Sequence, residues 1–370
     1  AAASGAVSRM QVFEARQLID QGLSDQSGLL YDLANGEPPL AVIDYLGNWM
    51  PAQVVALLRH RYAQDGSLGT FDLYRPVDTG PQQTIDPPTE IGAGLALGSY
   101  ALAAPLSPSY EPGELLIVNL GWQAGPSATT SALSVTLQLT TPEGAPLLES
   151  DLPLVYGALP PTRWPNGATV EHLQTLALPA ELPTGRYGVA IGLRASGEPL
   201  GVSHQITTIS VQATSGQSFE ESGQFVPGPI MRAWNAQGGR ERIGLPLTPA
   251  VPFAWGRLQC FELACLELRN GVVSARTLGA QLYLGETARS TACNDQATIG
   301  RICPGFATLT LRYGANLGQP ISGEVLRNGW VVQWSEYARL ERRPDTDTQG
   351  LGRLGEESLR LPPGGSYRWP

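Results

Sequence analysis

One stretch of this sequence occurs twice, and the repetition limits what the carboxyl-terminal part of the chain can fold into. The first copy has a Gly-x-Pro turn at Gly244 and a polar segment from Gln259; the second has the same features at Gly318 and Gln333. In both copies 15 positions separate the glycine from the glutamine. Each copy then closes on a Leu-Gly pair, at Leu278-Gly279 and at Leu354-Gly355. A frame that is repeated without repeated reactive groups is typical of a scaffold.

The frame predicts two small β-rich units packed end to end. Glycine and proline in the turn favour backbone angles at which a strand ends. Hairpin turns are predicted at Gly256 and at Asn328-Gly329. The segments that follow, Arg257 to Glu267 and Trp330 to Glu341, are each predicted as one strand with residues alternating between two faces.

The frame resembles a repeat of surface and secreted proteins from Chloroflexi-type bacteria. That repeat places a Trp and a Gly-Gly pair before the Gly-x-Pro turn, and a Leu-Glu pair near its end. The first copy has Trp234 and Gly238-Gly239 at those places, whereas the second has Tyr313-Gly314. No activity follows from this resemblance.

Composition favours strands and excludes several partners. Glycine and proline supply 43 and 31 of the 370 residues, which favours turns and strands over helices. The net charge of −9 argues against nucleic acid or an anionic membrane surface as a partner. All 24 basic residues are arginine, so lysine chemistry is absent.

No apolar run reaches the roughly 18 residues needed to span a bilayer. The polar, Ala-rich start predicts a piece of a longer precursor.

The four cysteines, Cys260, Cys265, Cys293 and Cys303, all lie in the repeat region. Their spacing does not match a zinc site, and an even number in one region predicts two disulfides in an oxidising compartment. Cys293 with Cys303 is a local pairing. Cys260 and Cys265 would point to opposite faces of a straight strand, so a direct bond needs a bend, and cross-pairing stays open.

Residues 1–80 are the part of the chain with helical periodicity. An apolar stripe from Val12 to Leu23 predicts one helix, and Pro51 opens another that ends near Tyr62. Strands are predicted at Leu40 to Tyr45 and at Gly69 to Arg75. These elements make a small α/β unit.

The motifs Pro38 to Asp44 and Tyr62 to Arg75, on either side of the Pro51 helix, resemble the soluble C-terminal tail of ArnT/PMT-like membrane glycosyltransferases. Those enzymes use lipid-phosphate sugar donors outside the cytoplasmic membrane, so the resemblance implies an extracytoplasmic location. Their catalytic acidic residues lie in loops between membrane helices that this sequence lacks. No catalytic residue can therefore be transferred.

Between residues 96 and 213, short strands alternate with turns and predict an immunoglobulin-like or fibronectin-like β-sandwich. Trp122 is predicted in its core and Tyr187 as a corner tyrosine. The block also resembles β-sandwich domains that follow such transferase tails. The predicted fold is mainly β with a small N-terminal α/β unit, a sandwich and two tandem β-rich repeat units: 1–80, a linker at 81–95, 96–213, 214–285, and 286–370 with the tail.

Aromatic and polar residues of the loops and repeats are candidate contacts for a glycan or a protein partner. A tryptophan beside an arginine can stack on a sugar, and Gln and Glu can bind hydroxyl groups. The alternative is that the tryptophan packs on its own domain and the polar residues cap hairpins. The candidates are Arg163, Trp164, Trp234, Gln259, Glu262, Trp330, Gln333 and Glu336.

No catalytic arrangement is recognisable. The Gly-x-Ser-x-Gly motif is absent, the histidines His60, His172 and His204 are isolated, and Glu262 with Glu336 is the only symmetric acidic pair. No metal or cofactor is predicted.

Two functions fit these features. The first is a non-catalytic extracytoplasmic region of a cell-envelope protein, such as the glycan-positioning tail of a membrane glycosyltransferase, which would bind a wall or surface glycan. The second is a structural or adhesive surface protein, such as a filament or surface-layer subunit, which would bind copies of itself.

Overall fold

The computed structural model describes residues 26–43, 50–68, 71–128, 132–213, 215–286, 291, 293, 301–346, 348–361 and 365–366. Antiparallel sheets and short helices dominate these residues, which confirms the predicted mainly β fold. The helix predicted from Val12 to Leu23 lies outside the described residues. Within them, no helix is long and apolar enough to cross a bilayer.

The N-terminal unit combines two helices with a three-stranded sheet of order β1-β3-β2. Pro51 immediately precedes its second helix, as predicted. Apolar side chains of this unit and of the sandwich belong to one continuous core, so the unit is built onto the sandwich. Its elements are α1 (Ser27–Ala34), β1 (Ala41–Ile43), α2 (Ala52–Arg61), β2 (Tyr62–Leu68) and β3 (Phe71–Pro76).

Arg61 fixes this unit to the sandwich. Its guanidinium donates to the Ala34 carbonyl at 3.1 Å, to the Val77 carbonyl at 2.6 Å and to the Glu171 carboxylate at 2.8 Å. The residue is 6% exposed, so the ion pair with Glu171 is shielded from water. Removing either partner would leave a buried charge without its counterpart.

The sandwich packs two antiparallel sheets face to face. One sheet has the order β4-β5-β6-β9; in the other, β10 pairs with β7 on one side and with β11 and β12 on the other, and β8 pairs with β7. Trp122 is fully buried, and the Tyr187 hydroxyl donates to the Pro183 carbonyl at 2.8 Å. The strands are β4 (Gln83–Gly92), β5 (Leu95–Leu102), β6 (Leu115–Ala124), β7 (Leu133–Thr140), β8 (Pro146–Pro153), β9 (Thr169–Ala177), β10 (Gly185–Ala195), β11 (Glu198–Pro199) and β12 (His204–Val211).

The linker predicted at 81–95 is wrong, because residues 83–92 form β4. Pro87 and Pro88 fall inside a register break between the Thr84–Ser99 and Thr89–Leu97 pairings, where the ladder needs no N–H from them. β4 is also an edge strand. Prolines are tolerated at bulges and edges, so they did not exclude a strand here.

The two repeats have the same topology. Each contains a four-stranded antiparallel meander followed by a short helix that starts at the Leu-Gly pair. The first consists of β13 (Gln217–Phe219), β14 (Gln224–Val226), α3 (Gly228–Ala236), α4 (Gly239–Arg242), β15 (Val251–Phe253), β16 (Gly256–Cys260), β17 (Cys265–Arg269), β18 (Val272–Ala275) and α5 (Leu278–Tyr283). The second consists of α6 (Ala307–Tyr313), β19 (Pro320–Arg327), β20 (Trp330–Ser335), β21 (Arg339–Arg342), β22 (Gln349–Leu351) and α7 (Leu354–Ser358), before β23 (Arg360–Leu361) and β24 (Gly365–Ser366).

The single strands predicted from Arg257 to Glu267 and from Trp330 to Glu341 are instead β-hairpins. In the first repeat, the Phe261 N–H donates to the Ala264 carbonyl at 2.8 Å and closes the turn between β16 and β17. The corresponding bond in the second repeat joins Ser335 to Ala338 at 2.9 Å. An alternating pattern continues through a tight turn, which is why periodicity did not reveal these reversals.

The repeats dock on each other reciprocally, not end to end. The Ala280 N–H of α5 donates to the Glu336 carbonyl in the second repeat's turn, and the Glu356 N–H of α7 donates to the Glu262 carbonyl in the first; both bonds are 3.1 Å. A further contact joins Arg242 to the Asn316 carbonyl at 2.5 Å, and these two positions are equivalent in the two copies. The pair therefore resembles a two-fold dimer built within one chain.

Glycine is required where each helix meets the opposite turn. A Cβ on Gly279 would lie 1.9 Å from the Ser335 carbonyl oxygen, and one on Gly355 would lie 1.8 Å from the Phe261 carbonyl oxygen. Both obstacles are backbone atoms, which cannot rotate away. The repeated Leu-Gly pairs thus mark the contact between the two copies.

Two disulfides brace the repeats. Cys260–Cys265 ties together the ends of β16 and β17, and Cys293–Cys303 closes the local loop that the spacing suggested. At the positions equivalent to Cys260 and Cys265, the second repeat has Trp334 and Arg339, whose guanidinium carbon lies 4.9 Å from the indole ring centroid. One turn is held by a covalent bond and the other by a cation–π contact.

We expect Gly355→Ala and Gly279→Ala to lower the free energy of unfolding by about 3 kcal/mol or more, because a methyl group cannot fit against the opposing carbonyl. Gly350→Ala is the matched control, since its Cβ would meet nothing within 4 Å. Urea denaturation followed by tryptophan fluorescence measures the three values. Variants at 279 and 355 as stable as the control would contradict this packing.

Three rings stack where the N-terminal unit meets the sandwich. His60 and Tyr156 lie 4.5 Å apart between ring centroids, and Tyr156 and His172 lie 5.0 Å apart. His172 Nδ1 accepts the Val155 N–H at 3.2 Å, which leaves the Nε2 proton for Gln174 Oε1, also at 3.2 Å. Burial lowers the His172 pKa from 6.5 to about 3, so the folded state keeps this imidazole neutral.

Because the unfolded chain protonates His172 more readily, its contribution to stability is complete above pH 6.5 and is lost as the pH falls from 6.5 toward 3. We expect a loss of about 2 kcal/mol between pH 7 and pH 5 from this residue. The His172→Gln variant keeps a donor and an acceptor without the titration, so urea denaturation of both proteins isolates the effect. Parallel pH dependences for the two proteins would refute it.

Candidate functional site

The predicted contact Trp164 is part of the sandwich. It follows a short 3₁₀ turn (Pro161–Arg163), it is 7% exposed, and its indole N–H donates to the Leu159 carbonyl at 3.0 Å. A ring buried in this way cannot stack on a sugar. The neighbouring Arg163 is exposed, but it has no exposed tryptophan ring beside it that could stack on a sugar.

Trp234, Gln259 and Gln333 are also buried. The indole N–H of Trp234 donates to the Gly244 carbonyl at 2.9 Å. Gln259 donates to the Phe225 and Thr248 carbonyls at 2.8 and 2.9 Å, and Gln333 donates to its equivalents, the Arg301 and Ser322 carbonyls, both at 2.9 Å. These repeated glutamines tie the segment before each helix to the meander, so they are structural.

The side-chain oxygens of Gln259 and Gln333 differ in their hydrogen bonding. The Gln333 side-chain oxygen accepts the Cys303 N–H at 2.8 Å, whereas the Gln259 oxygen has no partner among the described residues. The first repeat has Pro227 at the place of Cys303, and proline has no N–H.

Glu262 and Glu336 do not form a shared acidic site. Each carboxylate caps its own Gly-x-Pro turn, Glu262 by accepting the Leu245 N–H at 3.1 Å and Glu336 by accepting the Gln319 N–H at 2.9 Å. Glu262 also pairs with Arg353 at 2.9 Å across the repeat contact. Trp330 is partly buried, with the Arg343 guanidinium carbon 4.9 Å from its ring centroid.

A cleft of about 610 Å³ opens where the N-terminal unit, the sandwich and the first repeat meet. We call it the junction cleft. Its volume lies in the range of small-molecule sites, roughly 300–1,000 Å³. It is lined by residues 78–81, Gln83, residues 102, 104 and 106, residues 252–257, Leu268 and residues 270–271.

The three walls of the junction cleft are fixed by direct contacts. The Asp78 N–H donates to the Pro252 carbonyl at 3.0 Å, and Arg257 donates to the Ala104 carbonyl. Behind the cleft, Arg276 of the first repeat pairs with Asp65 of β2 at 2.8 Å, and both side chains are buried. The packing of the three units therefore determines the shape of the cleft.

The aromatic part of the cleft is Trp255, at the tip of the β15–β16 hairpin. Its ring lies parallel to that of Phe253, with centroids 5.3 Å apart, and the Arg269 guanidinium carbon lies 4.1 Å from its centroid. Trp255 is partly exposed, and within the described part of the chain its indole N–H has no acceptor. This nitrogen is itself buried, so a ligand in the cleft would meet the exposed part of the ring and not the N–H.

The polar lining combines donors and acceptors. Asp78, Gln83, Arg257 and Asn270 supply carboxylate, amide and guanidinium groups around the aromatic tip. Such a set suits a ligand rich in hydroxyl groups, because each hydroxyl both donates and accepts. Asp78 is the single carboxylate among the described residues that line the cleft. Among the described residues, no group of three or more His, Cys, Asp or Glu side chains is placed to hold a metal ion.

Sequence reasoning missed Trp255 and Arg257. The available signal was the comparison of the two hairpin tips, where the first copy has Ala254-Trp255 and the second has Asn328-Gly329. A tryptophan at a turn position that usually carries small or polar residues departs from the frame. The walls of the cleft come from distant parts of the chain, and no local pattern could have assembled them.

No protein-family model and no curated protein matches the chain. Solved structures with partial similarity include the C-terminal domain of Wzt, with 11% identity and a TM-score of 0.24 over 37% of this chain and 84% of that one. A Niemann-Pick type C2 protein from the Japanese carpenter ant has 11% identity and a TM-score of 0.23, over 35% and 99%. A glycosyl hydrolase family 2 member from Bacteroides cellulosilyticus has 10% identity and a TM-score of 0.20, over 42% and 18%.

We expect Trp164→Ala to lower the free energy of unfolding by about 3 kcal/mol, because it removes a buried ring and leaves a cavity. Arg163→Ala, next to it but exposed, should change stability by no more than about 0.5 kcal/mol. Thermal or urea denaturation distinguishes the two. Equal stability of the two variants would show that Trp164 is not a packing residue.

Proposed function

We propose that this chain is a non-catalytic platform of a cell-envelope protein that holds a glycan in the junction cleft. The observation that carries the proposal is the cleft itself, in which a partly exposed tryptophan is surrounded by amide, carboxylate and guanidinium groups. Aromatic rings bind the apolar faces of sugars, and planar polar groups bind their hydroxyls.

The two disulfides support a location outside the cytoplasm. Disulfides persist in oxidising compartments, and both of these brace the repeat scaffold. A glycan platform of this kind suits the tail of a membrane glycosyltransferase, where it would position an acceptor or a product near the membrane. Bonds between the units, such as Arg61–Glu171 and Arg276–Asp65, favour a fixed orientation of the cleft.

The proposal is tested with an oligosaccharide array and with immobilised cell-wall polysaccharide. Trp255→Ala should weaken binding by about tenfold, since an aromatic contact of this kind contributes on the order of 1 kcal/mol. Trp330→Ala is the matched control, because it removes a similar tryptophan–arginine pair from the second repeat, outside the cleft.

The control variant should bind as the wild type does. Absence of binding to any glycan, or equal loss in both variants, would contradict the proposal. Denaturation curves of both variants establish that each is folded at the assay temperature.

A further inference from the structure

Arg257 stands on the wall shared by two cavities. It lines the junction cleft and also a neighbouring cavity of about 150 Å³, which Glu114, Phe225 and Pro249 help to enclose. The residue lies on β16, where it is paired in register with Pro252 and Leu268. The first repeat therefore positions the guanidinium, which faces the space between the units.

The guanidinium lacks the carboxylate partner that three other enclosed arginines have, and in this it is like Arg242, which donates to the Asn316 carbonyl. Arg61, Arg276 and Arg339 each pair with a carboxylate, at 2.8, 2.8 and 2.6 Å. The hydrogen bonds of Arg257 go instead to two carbonyls, that of Ala104 and, at 3.5 Å, that of Ala250. Among the described residues it has no ion-pair partner, and three of its five N–H groups remain after these two bonds.

Neither Asp78 nor Glu114 forms a direct ion pair with Arg257, although both carboxyl groups favour its charge from a distance. Asp78 accepts the Gly80 N–H at 2.8 Å, and Glu114 accepts the Glu111 N–H at 3.0 Å. Burial raises the pKa of Glu114 to about 7, so at neutral pH a large fraction of this carboxyl is uncharged. Burial also lowers the pKa of Arg257, because the surroundings disfavour its charge. Arg257 is partly exposed, and the N–H groups that remain can pair with an anionic group of a ligand in the cleft.

We infer that the glycan of the junction cleft is acidic, and that Arg257 binds the anionic group of a sugar, a carboxylate or a phosphate, beside Trp255. This inference rests on the proposed function and adds the charge of the ligand to it. Arginine suits either group, because its planar N–H fork can bond two oxygens at once.

The net negative charge of the chain distinguishes a local effect of Arg257 from a general attraction of the protein for anions. At a net charge of −9 the protein as a whole does not attract anions. At physiological ionic strength, charges are screened over about 8 Å, so a single guanidinium can still dominate inside the cleft. Preference for an acidic sugar should therefore depend mainly on Arg257, because the other guanidinium beside Trp255, that of Arg269, pairs with Glu267 at 3.1 Å.

The test uses two matched probe pairs in calorimetric titrations of the full chain. Tetragalacturonate and its methyl ester have the same length and ring faces and differ in charge. Maltotetraose 6-phosphate and maltotetraose form the second pair and distinguish phosphate from carboxylate as the anion. Wild-type protein should bind the charged member of at least one pair about tenfold more tightly, as expected for a charge-assisted hydrogen bond.

Arg257→Gln should reduce that preference to about twofold or less and leave binding of the neutral member nearly unchanged. Arg257→Lys should keep part of the preference, because it retains the charge without the fork. Arg240→Gln is the charge-matched control, since Arg240 pairs with Glu221 at an exposed place outside the cleft. Denaturation curves confirm that each variant is folded.

Equal affinity of wild-type protein for both members of both pairs would overturn the inference and leave the proposed function standing. A preference retained in Arg257→Gln would also overturn it, because the anion would then be bound elsewhere. Binding of no member of either pair, together with a negative glycan array, would refute the proposed function itself.

Discussion

The contact on which the rest of this structure depends is a backbone-to-backbone contact between the two repeats. Each Leu-Gly helix start lies directly against carbonyl oxygens in the other repeat's hairpin turn, with no room for a side chain at Gly279 or Gly355. Because the contact is made by glycine and peptide groups, it persists although the two turns differ at two of their four residues, Phe261 against Ser335 and Leu263 against Tyr337. That independence explains how one turn can carry a disulfide and the other Trp334 with Arg339.

The reciprocal contact also determines where the ligand site can be. The second repeat packs against the turn that follows β16, and β16 carries Arg257 two residues after Trp255. On its other side, the first repeat is joined to β2 through Arg276 and Asp65 and to the end of the sandwich through Arg257 and Ala104. The junction cleft is thus formed by a repeat that is held from both sides. Such preorganisation limits the ordering that binding a sugar would otherwise require.

The sequence revealed what is local and periodic. The duplicated frame, the strands of the sandwich, the Pro51 helix and the corner tyrosine all follow from short-range patterns and are present. The spacing predicted two disulfides but left their pairing open, and the structure pairs Cys260 with Cys265 and Cys293 with Cys303. Errors arose where a long-range contact decides the outcome. Residues 83–92 became a strand because β5 offered an edge to pair with. For Trp164 the sequence left two alternatives, and the bond from its N–H to the Leu159 carbonyl decides for packing. The repeated Gln and Glu positions looked like ligand contacts, but they are kept because they hold the turns.

If the two repeats form one closed, symmetric pair, their contacts should open together. Amide hydrogen exchange of Ala280 and Glu356 reports this most directly, because each of these N–H groups donates across the contact. We predict comparable protection of the two amides in the wild-type protein, and a parallel loss of protection at both when only Gly355 is replaced by alanine. Loss at Glu356 alone, with Ala280 protected as before, would contradict the closed pair.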